Sequence, residues 1–266
     1  MNIYEYGIVV DPDQSFGTLK ILGTSDLPSI VGLTFTPVDG DGQSLTERAS
    51  GIVRVNGPHR FPDYADEYDL SYCIGAMLYH LSRILDLYSA VTLLFEKVHP
   101  DGTAMEGSTS DPKIYFELDA FLLAARRVYE AIRKVLWKHY GSGKHRWRSI
   151  STTIGSELIP IEFADKLSLS WNDHGEALKS YRDCVAHYDP IMDMIPKCMT
   201  YRMMGRWGLA IKLPVNPGVK NRTAFEFSSG PEALMYCHST ASHLIALCES
   251  LCSEPTIHQH LDNPKL

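Results

Sequence analysis

A chain of 266 residues is long enough for one large or two small domains, and its 44% hydrophobic residues are enough to bury a core. The formal net charge of -7 excludes a strongly basic nucleic-acid coat but leaves room for a local basic patch. Residues 1–10 lack a basic segment followed by an apolar run, and no stretch approaches the ~18 consecutive apolar residues of a spanning helix, so a cytoplasmic protein with no membrane partner is expected.

Residues 1–66 read as a β-rich N-terminal extension. Residues 4–10 and 29–35 are rich in β-branched and aromatic side chains, and Asp11-Pro12-Asp13 and Asp39-Gly40-Asp41-Gly42 punctuate them. The second of these lacks the spacing and the closing Glu of a calcium loop, so it is read as a turn. From Asp69 the period changes. Leu70, Cys73, Ile74, Met77, Leu78, Leu81, Ile84, Leu85, Tyr88, Val91 and Leu94 recur at three- and four-residue spacing, which predicts a long amphipathic helix ended by Pro100-Asp101-Gly102.

A polar loop, 101–110, leads to Asp111-Pro112, an acidic cap followed by proline at the first helical position. The second stripe is Tyr115, Leu118, Leu122, Ala125, Tyr129, Ile132 and Leu136, closed by Gly141 and Gly143. Two long helices joined by a short loop are expected to pack as an antiparallel hairpin. Residues 150–161 read as irregular and 160–167 as a short helix. A third helix is expected from Trp171-Asn172-Asp173 to about Tyr188, stopped by Asp189-Pro190. Alternation in 208–213 and 223–227 around a turn-rich 214–221 predicts a β-hairpin over about 200–228. Gly230-Pro231-Glu232 opens a last helix to about Cys252, with Leu234, Cys237, Ala241, Leu244, Ile245, Cys248 and Leu251 on its stripe.

These elements predict a mainly α fold. A β-rich extension (1–66) precedes a helical domain (67–254) carrying a β-hairpin insertion before its last helix, and a polar tail (255–266) follows. Six cysteines are present, none in a C-x-x-C pair, so they are expected as small buried hydrophobes. Cys237, His238, His243, Cys248 and Cys252 do not share one helix face, and no metal or cofactor is expected. His80, His99 and His174 read as structural or exposed.

Chemistry concentrates in Tyr181-Arg182-Asp183-Cys184-Val185-Ala186-His187, which fits Arg-x4-His at the end of a helix. Histidine titrates near neutrality and exchanges protons, while arginine's planar fork holds phosphate oxygens. That pairing suits RNA cleavage by its own 2′-hydroxyl, which needs an acid, a base and a cation at the phosphate. On an ideal helix the two positions lie about 140° apart, so they meet at one site only if Arg182 reaches round or the helix ends near His187. Glu117, Asp119 and Asp183 are the acids placed to orient them.

The motif resembles the Arg-x4-6-His signature of HEPN domains, and Phe116–Arg127 is similar to the acid-bearing early helix of some of them. The resemblance covers roughly residues 69–252. It implies a four- to five-helix up-and-down bundle and a metal-independent endoribonuclease, toxin- or defence-related, acting as a homodimer with a cognate regulator. It also implies Arg182 and His187 as the catalytic pair. A non-catalytic module binding nucleic acid, a nucleotide or a protein is the alternative, and Asp183 stands where many members carry Asn. Lys144, His145, Arg146, Trp147 and Arg148 form the most basic stretch, with aromatics interleaved, which suits a single RNA strand.

Overall fold

The structure, a computed structural model, describes residues 3–9, 18–24, 34–37, 43–55, 65–98, 104–107, 112–141, 147–187, 191, 198–203, 206–219, 222–254 and 257. Within them the protein is mainly α-helical. The expected turns at 11–13 and 39–42, the cap at Asp111, the stop at Asp189-Pro190 and most of the 255–266 tail lie outside the described residues.

Strands β1 (Ile3–Val9), β2 (Thr18–Thr24) and β3 (Thr34–Pro37) pair antiparallel in chain order. Helix α1 (Leu45–Val55) follows, where the sequence reads as β and loop. Ser44 Oγ accepts from the Glu47 N–H at 3.3 Å, and Leu45, Ala49 and Ile52 are buried at helical spacing. That short period was present in the sequence but too brief to outweigh the turn residues around it.

Helices α2 (Ala65–Val98) and α3 (Lys113–Tyr140) form the expected hairpin. Every residue of the α2 stripe from Leu70 to Tyr88 is buried, and so is the whole α3 stripe. Leu94 departs from expectation and is 57% exposed. Strand β4 (Ala104–Gly107) lies in the expected polar loop, and it pairs with β5 (Cys198–Met203), almost a hundred positions on. Local pattern cannot reveal a strand whose partner is that distant.

Helix α4 (Ile150–Ile154) opens with a capping box between Ser149 and Thr152, in a segment expected to be irregular. Helix α5 (Ile161–Ser170), a π-helical turn (Trp171–Gly175) and helix α6 (Glu176–His187) run on without a break. The expected short helix and third helix are therefore one rod with a bulge. The hairpin insertion lies earlier than expected, as β5 paired with β6 (Arg206–Ala210). Thr223–Phe227 is not a strand: Arg222–Ala224 is a 3-10 turn, and Leu213 N–H donates to Pro231 O at 2.9 Å instead.

Helix α7 (Ala233–Cys252) closes the core against α1, α2, α3 and α5. Its N-cap is Glu232, 1% exposed. Glu232 Oε2 accepts from Met235 N–H at 2.8 Å, and Oε1 accepts from Tyr88 OH at 2.7 Å and Ile211 N–H at 3.3 Å. One carboxyl thus ties α2, the end of β6 and α7 together. Cys73, Cys184, Cys237, Cys248 and Cys252 are buried thiols. Among the described residues no helix is long and apolar enough to cross a membrane.

Candidate functional site

Helix α6 lies antiparallel on α3. Arg126 of α3 feels the charges of Arg182 and Asp183, while Asp119, two turns earlier, accepts a hydrogen bond from the Ile191 N–H beyond the end of α6. Leu178, Tyr181 and Cys184 form the buried stripe of α6. This stripe leaves Arg182 and Asp183 half-buried beside it and His187, the last helical residue, exposed.

Arg182 Nη1 lies 2.8 Å from Asp183 Oδ1, with side chains 30% and 36% exposed. His187 lies five positions after Arg182, about 7.5 Å along the axis. His187 is the last residue of α6, at the negative pole of the helix.

The centre of the site is Arg126, which is 6% exposed. Its Nη2 lies 2.7 Å from Glu130 Oε1, and its guanidinium carbon sits 5.1 Å from the centre of the Trp171 ring. Its Nε and Nη1 donors are buried with no hydrogen-bond partner among the described residues. Burial pulls its pKa below the usual arginine value; Glu130 opposes that, and the nearby Arg182 adds to it. Glu130 Oε2 also receives Arg133 Nε at 2.8 Å, and Arg133 donates onward to the Trp147 carbonyl. Three guanidinium groups and two carboxylates therefore form one cluster between α3 and α6.

The acids proposed to orient the pair take different partners. Glu117 Oε2 lies 2.8 Å from His80 Nδ1 on α2. Asp119 accepts a hydrogen bond from the Ile191 N–H. Burial pushes its pKa up to about 6, against the Ile191 hydrogen bond, and its Oδ1 has no partner among the described residues. Of the basic stretch, Lys144, His145 and Arg146 lie outside the described residues. Trp147 packs edge-on against Trp137 at 5.2 Å, partly buried against the core, while Arg148 is exposed.

Compared with known proteins, the chain matches no family model, no curated protein and no solved structure.

Arg126, Glu130 and Trp171 were not singled out from the sequence. The signal was available: Arg126 lies four residues after Leu122 and three before Tyr129, both on the buried stripe. The π-helical turn carries the other half. Glu176 N–H donates to Trp171 O, five residues back, and this widened turn folds residue 175 over the indole. A Cβ on Gly175 would lie 2.3 Å from Trp171 Cε3, so only glycine fits. Gly175→Ala is expected to cost about 1–3 kcal/mol of stability, as overpacking does. It should also displace the indole from Arg126, visible as a changed near-ultraviolet tryptophan signal. An unchanged signal and stability would show that the turn relaxes freely.

Proposed function

We propose that this chain is a metal-independent endoribonuclease of the HEPN type, with Arg182 binding phosphate and His187 acting as acid or base. The observation that carries the reading is the position of the pair. Arg182 is held half-buried beside the cationic Arg126, and an exposed His187 lies five residues on, at the end of the same helix. Two guanidinium groups facing one region favour a phosphodiester. The exposed imidazole is accessible to a 2′-hydroxyl or a leaving oxygen. Asp119, whose raised pKa keeps part of its population protonated near pH 6, supplies a second titrating group near the end of α6. The resemblance further implies a homodimer that brings two such sites together.

Two observations favour a second reading, a non-catalytic nucleic-acid-binding module. Asp183 already engages the Arg182 fork, and Glu117 is paired with His80. Cleavage of single-stranded RNA in EDTA separates the two. Wild type is expected to cleave, and Arg182→Ala and His187→Ala are each expected to lose about a hundredfold or more. Equal activity in wild type and both variants sinks the nuclease reading. Salt-sensitive RNA binding without cleavage selects the module.

A further inference from the structure

Away from the Arg182 cluster, α1, the π-helical turn and α7 enclose an open pocket of about 420 Å³. Its walls carry three imidazoles (His174, His238 and His243), the hydroxyls of Ser239 and Ser242, and Arg48. The His174 and His243 rings stack at 4.3 Å, tilted by 33°. The π-helical turn that places Trp171 beside Arg126 also places His174 here. Such turns recur at functional sites because they re-aim side chains that a regular helix would direct elsewhere.

The residue types decide what the pocket can take. Among the described residues, no three His, Cys, Asp or Glu side chains group so as to hold a metal ion. Imidazole N–H groups, two hydroxyls and a guanidinium are donors that suit the several oxygens of a tetrahedral anion. Charged groups come from every wall. Arg48 of α1 is clasped by Glu249 of α7, with Nε donating to Oε1 at 2.9 Å and Nη2 to Oε2. Asp173 comes from the π-helical turn, the exposed Glu176 begins α6, and Lys166 of α5 donates to Ser250 of α7 at 2.9 Å. Burial lowers the pKa of both stacked histidines, His174 lowers that of His243 further, and Asp173 opposes the shift in each. Without a ligand the pair is therefore held neutral near pH 7.

We propose that this pocket is a second binding site, for a phosphoryl group, and that His174 and His243 take up protons as the anion binds. An incoming dianion reverses the balance that keeps the imidazoles neutral, because its charge outweighs their desolvation and mutual repulsion. Proton uptake and anion binding are then linked, and each strengthens the other. Glu249 competes with the anion for Arg48. The proposal is independent of the nuclease reading, since none of these residues belongs to the Arg182 cluster.

Sulfate is the direct probe, because its charge stays constant across the range where phosphate titrates. Titration calorimetry is expected to show about tenfold tighter sulfate binding at about pH 5.5 than at about pH 7.5, with net proton uptake. Adenosine monophosphate and a short single-stranded RNA compete in separate arms, and the tighter competitor identifies a phosphomonoester or a phosphodiester as the source. Glu249→Gln is expected to tighten binding by releasing Arg48, and this gain requires a folded protein. The double variant His174→Asn/His243→Asn should lose the pH dependence. Four results would overturn the proposal: equal sulfate affinity at both pH values, a pH dependence retained by the double variant, weaker binding in Glu249→Gln, or sulfate binding that neither competitor displaces.

Discussion

Replacing Glu232 with alanine is expected to lower the unfolding free energy by about 3 kcal/mol, combining a lost helix cap with a buried hydroxyl left unbonded. The fully buried carboxyl accepts from Tyr88 OH, Ile211 N–H and Met235 N–H. The same group makes stability depend on pH in an unusual direction. Burial pushes the Glu232 pKa up from 4.5 to about 7, although its hydrogen bonds act to lower it. Below the unfolded value both states hold the proton. As pH rises from 4.5 towards 7 the unfolded chain loses it while the folded chain keeps it, so stability falls across that window. The loss amounts to about 3 kcal/mol by pH 7.5. Asp119 adds a smaller loss of the same sign between 3.8 and about 6. Urea unfolding at pH 5 and pH 7.5 measures the slope. Glu232→Gln, which cannot titrate, should flatten it, and a Gln variant with the wild-type slope would falsify the assignment.

The second large effect comes from the Arg126–Glu130 pair. Glu130→Ala is expected to destabilise the fold by about 3 kcal/mol, because it leaves Arg126 buried without its counter-charge. Arg126 has an 8% exposed side chain, two donors without partners among the described residues and Arg182 close by, so little else there compensates it. Arg126→Met behaves differently. A thioether chain of similar length fills the space under Trp171 without a charge to desolvate, and stability should change by less than about 1 kcal/mol. The double variant Arg126→Met/Glu130→Ala should then recover most of the stability lost by Glu130→Ala alone. If the double variant is as unstable as the single one, the buried charge is not the cause. Arg126→Met also separates positioning from folding. Under the nuclease reading it weakens RNA cleavage while the protein stays folded, because Arg126 is part of the electrostatic setting of Arg182.

The sequence by itself determined the helical skeleton. The stripes of α3 and α7, and that of α2 from Leu70 to Tyr88, were legible residue by residue, since burial of a 3.6-residue period is a local property of the chain. The helix that carries Arg182 and ends at His187 was likewise legible. Tertiary structure decided everything that depends on distant partners. The β4–β5 pairing joins segments almost a hundred residues apart, and α1 needed Ser44 and the core to outweigh its turn-rich surroundings. Glu117 was expected to orient Arg182 and His187; packing of α2 against α3 places it beside His80 instead. Arg126 was not singled out from the sequence; its place on the buried face of α3, with Trp171 of the π-helical turn against it, makes it the centre of a cluster. Periodicity records which face a residue occupies. The identity of a charged group's partner is set by what the rest of the fold brings against that face.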